Sequence, residues 1–358
     1  MNVCTNPPAS SNPEREELTG KVVRPGELSE DERAAWKGLC QNSQIFANPF
    51  FSVSFSDALA ACGVDIRVCV LKNGGRPVGF FPYQFANRFA RSLSAAERAG
   101  EEMSDYCGLI ADSDFQIEPR QLLSLSRISS FTFSHLDETQ KRYGLSGEKP
   151  EAGLMAQMPR GGAAYWQEIC ERDKALASDT KRRLRRLTEQ YGPLRFVFGE
   201  ESPHGFIEDL IKKKRSQYKR TGKTDSLSKS WKRRLLHRVA DFRDPDFTGV
   251  LSTLHAGDTW VASHFGIRSR NVLHYWFPIY NREMEKFSPG RLLYKSIVEA
   301  TDVNGITVID RGAGDALFKK DFCNAAHTYL RGRWQRPGLK SLAFSAAMSA
   351  KWRFGSWR

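Results

Sequence analysis

Residues 285–300 read EKFSPGRLLYKSIVEA, with Ser288, Pro289 and Gly290 directly ahead of an amphipathic run. Serine suits a helix cap, and proline suits the first turn because it has no N–H to leave unpaired there. Gly290 adds nothing to a helix start except room for something to approach the backbone. A helix N-terminus with free N–H groups and positive dipole character is a natural seat for phosphate. A second stretch, DRGAGD at 310–315, follows the apolar run GITVID. It places Asp310 at the end of a buried strand, where ligands gather in open α/β sheets. Its glycines lack the third glycine of a dinucleotide site and the lysine of a P-loop, so a tight turn is an equal reading. No Cys-His or Ser-His-Asp arrangement and no metal-ligand spacing can be read.

The chain has 358 residues, which points to two domains rather than one core. Its formal net charge of +13 favours an anionic partner: nucleic acid, an acidic membrane surface or a phosphate-rich cofactor. Seven cysteines without a C-x-x-C pair suit reduced thiols. The start, MNVCTNPPASSNPEREELTGK, is polar and has no apolar core, and no run approaches a membrane span. A soluble, cytoplasmic protein is the expectation.

The elements that must position these residues follow from periodicity. IRVCVLKNGGRPVGFFPYQF (66–85) reads as a hairpin around Gly-Gly. MSDYCGLIAD (103–112) is a loop entering a short strand, and RISSFTFSHL (127–136) a further strand. YGLSGEKPEAG (143–153) is rich in turn formers and marks the passage between two halves. SDTKRRLRRLTEQYG predicts a helix capped by Ser178 or Asp179, and Leu227, Trp231, Leu235 and Val239 another. Residues 248–281 read as three antiparallel strands turning at HAGD and RSRN. The capped helix from Ser288 to about Val303, the strand GITVID, a short helix ALFKKDF and a closing strand HTYLRGRW complete the order.

This order resembles the GNAT acyltransferase fold. The local sequence resembles the CelD/BcsL-type bacterial acetyltransferases, several of which accompany polysaccharide or cellulose biosynthesis. The matching positions are Gly257, Val261, Ala262, Phe265, Gly266, Tyr280, Ser288, Pro289, Gly290, Leu292, Leu293, Asp310, Gly312, Gly314, Asp315 and Lys319. The likeness is strong over about 175–325, and FANPFF and SDYCG before residue 150 are shorter echoes. It implies an α/β (α+β) GNAT fold with two GNAT-like halves, as in the related FemAB transferases. The expected divisions are a disordered leader (1–20), a degenerate N-terminal half (21–150), a C-terminal acetyltransferase domain (151–337) and a basic amphipathic tail (338–358).

The resemblance further implies acetyl-CoA, or another acyl-CoA, as donor. Its pyrophosphate would meet Ser288 and the N–H groups of Gly290, Arg291 and Leu292, with the Arg291 side chain adding a charge-assisted contact. Lys319 would reach a phosphate or pair with Asp310 or Asp315. Acyl transfer needs a base for the acceptor and a donor for the oxyanion. His264 is the first candidate base, His274 the second, and a hydrogen-bonded structural histidine the alternative for both. Asp310 would orient the acceptor or act as base, and Tyr275 or Tyr280 would protonate the leaving thiolate. The acceptor would be an amine or hydroxyl of a sugar or envelope precursor. The basic runs between 181 and 238, with Tyr218 and Trp231, suit either a solvated surface or an anionic substrate such as a phosphate-linked sugar or RNA. An aminoacyl-tRNA-dependent FemAB-like transferase and a non-catalytic basic binding protein are the other readings. The tail would attach peripherally to the inner membrane or dock on its own domain.

Overall fold

The computed structural model describes residues 17–314 and 317–355. Most of the expected leader lies outside these residues, and the chain is already in a strand at Thr19. The first half comprises β1 (Thr19–Val23), α1 (Glu30–Gln41), α2 (Val53–Ala61), β2 (Ile66–Asn73), β3 (Arg76–Gln84) and α3 (Arg88–Ser92). It continues with β4 (Ala95–Arg98), β5 (Ile110–Ala111), α4 (Pro119–Leu125), β6 (Ser130–Asp137) and β7 (Lys149–Gln157). The second half opens with α5 (Gly162–Arg172), α6 (Lys174–Tyr191), β8 (Leu194–Phe198), α7 (His204–Thr221), α8 (Ser230–Asp241) and β9 (Arg243–Asp244). Next come β10 (Phe247–Ala256), β11 (Thr259–Ser269), β12 (Val272–Tyr280) and α9 (Pro289–Ala300). It closes with β13 (Val308–Ala313), α10 (Leu317–Lys320), β14 (Ala325–Gln335) and α11 (Leu339–Gly355).

All strands join one sheet, ordered β1-β2-β3-β4-β6-β14-β7-β13-β12-β11-β10-β8. The order shows a pseudo-twofold relation. Each half is an antiparallel meander followed by a parallel pair, β4 with β6 and β12 with β13. The halves then exchange strands. β7 leaves the first half to pair with β13, and β14 leaves the second to pair with β6. The turn-rich stretch at 143–153 is therefore no linker, because β7 runs through the expected boundary at 150/151. The exchange lets the central β7–β14 ladder tie the halves into one sheet.

The hairpin around Gly74 and Gly75 and the meander β10–β12 match the sequence patterns. β8 was not expected, and α6 starts before Ser178 because the Asp173 side chain caps it, accepting from Leu176 N at 2.9 Å. Two apolar layers flank the sheet of the second half. Leu293 and Ile297 of α9 pack in one, while Ile207, Leu210 and Ile211 of α7 pack in the other. Along β12, Leu273 and Tyr275 belong to the α9 layer, but Phe277 and Ile279 belong to the α7 layer. The alternation flips because β12 carries a bulge: two residues, Tyr275 and Trp276, oppose the single Gly266 of β11. Among the described residues no helix is long and apolar enough to cross a membrane. The start of α11 touches its own domain, with Phe344 under the Arg333 guanidinium at 4.8 Å and Ser341 buried, while Leu339 and Leu342 are exposed.

Candidate active site

The parallel ladder of β12 and β13 covers only Val272 to His274 against Val308 to Asp310. Beyond it β12 bulges and β13 turns off toward β7, so the two strands part. A bulge leaves backbone groups outside the ladder, and it aims side chains into the gap. α9 follows β12 on the same side of the sheet as Tyr275.

The last paired residues, His274 and Asp310, anchor a buried polar network that joins the halves. His274 Nε2 lies 3.0 Å from Asp105 Oδ2, and its Nδ1 lies 3.7 Å from Asp310 Oδ2. Asp310 Oδ2 accepts from Asn48 Nδ2 at 2.8 Å and from the Tyr106 hydroxyl at 2.6 Å, and its Oδ1 accepts from Gly312 N at 2.8 Å. The Tyr106 hydroxyl also lies 3.1 Å from His327 Nε2. Burial acts to lower the His274 pKa, but the hydrogen bonds and charges of Asp105 and Asp310 prevail and raise it to about 9. Burial acts to raise both carboxyls, yet the same imidazolium holds Asp105 and Asp310 below their usual range. The cluster is thus a cation between two anions at neutral pH. Asp105 is its most exposed carboxylate, with about a quarter of its side chain accessible.

The residues expected from sequence do not all meet here. Asp310 is at the site but fully engaged, so it holds His274 rather than waiting as a free base. The glycine stretch after it begins inside β13, at an irregularity of the β7 ladder: Gly312 N donates to Asp310 Oδ1, and its φ is +65°. A Cβ on Gly312 would lie 2.3 Å from Asp105 Oδ2, so glycine there admits the other half's carboxylate. Asp315 lies outside the described residues. Lys319 turns to the backbone instead of a phosphate, donating to Arg311 O at 2.8 Å and Ala313 O at 2.6 Å.

His264 departs from the expected base. It is fully buried, both ring nitrogens lack a hydrogen-bond partner, and the ring stacks on Tyr275 at 4.1 Å. Burial, with help from the His274 charge, lowers its pKa to about 3. The ring is therefore neutral and walled in. Tyr275 lies at the bulge, packed between His264 and Tyr294, and burial pushes its hydroxyl up to about 12, so it keeps its proton. Tyr280 lies at the far end of β12, in the wall of a surface cleft rather than beside His274.

At the start of α9, Ser288 caps without its side chain and adopts φ +54°, ψ +57°. Its carbonyl accepts from Arg291 N at 2.9 Å and Leu292 N at 3.2 Å, so two of the three expected N–H donors are committed. Leu292 is buried in the core. A Cβ on Gly290 would meet no protein atom within 4 Å. The position is therefore open, and glycine is not demanded there by packing. Arg291 Nη1 is 2.9 Å from Asp179 Oδ2, and Arg183 Nε binds the same oxygen at 2.7 Å. An acidic side chain of α6 thus occupies the cations beside the helix terminus.

Sequence reasoning passed over Asn48, Asp105, Tyr106 and His327, and ranked His274 second. FANPFF and SDYCG were visible signals, since they contain Asn48 and the Asp105–Tyr106 pair.

Comparison with known proteins bears on the fold. Residues 175–320 match the acetyltransferase (GNAT) domain family. FemX superposes with a TM-score of 0.58 at 9% identity, over 91% of this chain and 99% of FemX. A conserved protein of unknown function from Bacteroides thetaiotaomicron superposes with a TM-score of 0.52 at 10% identity, over 83% of this chain and 96% of that one. At these identities the likeness is one of fold. No curated protein matches the sequence.

Proposed function

We propose, from a GNAT domain at 175–320 within a GNAT-like tandem fold, that the chain transfers an acyl group from an acyl-CoA, acetyl-CoA first among them, to an amine or hydroxyl of a sugar or envelope precursor. The observation that carries this reading is the opening between β12 and β13 at the Tyr275–Trp276 bulge, with Gly290 clear of protein atoms at the start of the next helix. Gly290 and Arg291 would hold the donor's phosphates, and backbone N–H groups freed by the bulge would face the thioester oxygen. Asp105 would orient the acceptor from the first half, with His274 and Asp310 fixing its position. The acceptor nitrogen or oxygen attacks the thioester carbonyl, the C–S bond breaks, the Tyr275 hydroxyl protonates the leaving thiolate, and the proton shed by the attacking group restores the Tyr275 hydroxyl. Among the described residues no activated nucleophile lies beside the bulge, which favours direct attack over a covalent intermediate.

The transfer-RNA reading draws no support from Lys232 and Arg234 of α8, which are spent on the protein itself: Lys232 pairs with Glu101, and Arg234 donates to Cys62 O. Calorimetry with acetyl-CoA on the wild type and on Gly290→Glu tests the proposal. Binding by the wild type and none by the variant is expected. No binding by either at millimolar ligand would sink it.

A further inference from the structure

Several cations near this part of the sheet are paired internally. Arg182 and Arg183 hold Asp179, Arg215 holds Asp225 and Lys232 holds Glu101. Lys214, on the inner side of α7, donates to Pro278 O at 3.1 Å and so pins that helix to β12. One group of cations lies together around a cleft. Lys212, Lys213 and Arg220 of α7 and Arg282 after β12 converge on a cleft of about 310 Å³, whose walls include Trp260 and Tyr280. No acidic residue lines it, and among the described residues none of the four cations forms an ion pair.

The cleft is built rather than incidental. The Trp260 indole donates to Ser263 Oγ at 2.8 Å, and Asn281 Nδ2 donates to Trp260 O at 3.1 Å, which fixes the ring in the wall. Lys213 Nζ stands 4.9 Å from the centre of that ring. Like charges left together cost free energy unless a counter-charge arrives, so four unpaired cations around aromatic walls describe a site for a phosphate carried on a ring. The site belongs to α7, whose layer lies across the sheet from α9 and its open terminus.

We propose that this cleft binds the phosphate of the acceptor, a sugar or similar ring linked through a phosphate or diphosphate. Trp260 packs against the ring while Lys212, Lys213, Arg220 and Arg282 take the anion. Only the word acceptor rests on the acyltransferase reading; the anion site stands on its own. Tyr280 is six residues beyond His274, roughly 20 Å along the strand, so a diphosphate-linked acceptor has the length to span cleft and gap.

Calorimetry with inorganic pyrophosphate, UDP-glucose and glucose, on the wild type and on a Lys213→Ser/Arg220→Ser variant, tests this. The wild type should bind the first two and not glucose, and the variant should lose at least tenfold in affinity for both. Coenzyme A binding by the variant should stay within about twofold of the wild type. An equal loss for coenzyme A would hand the cleft to the donor and overturn the assignment. So would wild-type binding confined to a long polyanion such as tRNA, or no binding of either phosphate compound. If the wild type ignores coenzyme A but shows the expected phosphate results, the donor reading falls and the anion site stands.

Discussion

Asp105 Oδ2 stands 3.0 Å from His274 Nε2, so a carboxylate from the first half holds the imidazole at the point where two strands of the second half part. The contact is possible only because Gly312 offers no Cβ. It makes the seam between the halves part of the site.

This pair gives the protein a stability that depends on pH. The folded-state pKa of His274 is raised from 6.5 to about 9, so its contribution is complete below pH 6.5 and is lost as pH rises through 9. A shift of that size corresponds to about 3 kcal/mol at most. The lowered Asp105 and Asp310 act oppositely, contributing above the ordinary carboxylate range and losing that contribution as acid protonates them. Melting temperature should therefore fall between pH 6.5 and 9. His274→Gln should be less stable at pH 6.5 and nearly flat over that window.

Gly312→Ala should destabilise the fold by roughly 2 kcal/mol or more, because φ of +65° strains any side chain and the new methyl meets Asp105. Chemical denaturation reads the effect. An unchanged midpoint would mean that the Asp105 contact is dispensable.

Lys232 lies across the seam, 3% exposed, with Glu101 Oε2 at 2.9 Å. Removing it leaves Glu101 with the half-exposed Lys229 alone, so Lys232→Ala should cost about 1–3 kcal/mol in a urea titration. Lys229→Ala, at the exposed neighbour, should cost about 1 kcal/mol or less.

Asp179 competes for the cations beside α9. The hydrogen bond from Arg183, with those of Arg291 and Arg182, holds its carboxyl down at about 2, so it is charged throughout the working range. Asp179→Asn frees Arg291 for phosphate, and acetyl-CoA affinity should rise about threefold, with a steeper salt dependence. Calorimetry at two ionic strengths checks both.

His264→Leu separates packing from chemistry. The imidazole gains no hydrogen bond to offset its burial, so stability should hold or increase. Turnover within about twofold of the wild type is expected; a loss of a hundredfold would restore His264 as base.

Much of the second half was legible in its sequence. The meander followed from period-two alternation around HAGD and RSRN, and the start of α9 from Ser-Pro-Gly. The basic runs were visible too, but their allocation was not. Composition cannot say that Lys232 of α8 spends its charge on Glu101 while Lys212, Lys213 and Arg220 of α7 form no ion pair among the described residues. Nor does alternation reveal a bulge, which changes one register step yet moves Phe277 and Ile279 to the opposite layer from Tyr275.

The sequence by itself determined the local pieces: turns, strand runs, and an open glycine in the first turn of α9. These depend on residues within a few positions of one another. Only the tertiary structure decided that Asn48, Asp105, His274 and Asp310 share one network and that His264 does not. Asn48 and Asp310 are 262 positions apart, and no local period couples them. They meet because the halves exchange β7 and β14 and close a single sheet, which brings the loops of one half against the parting strands of the other.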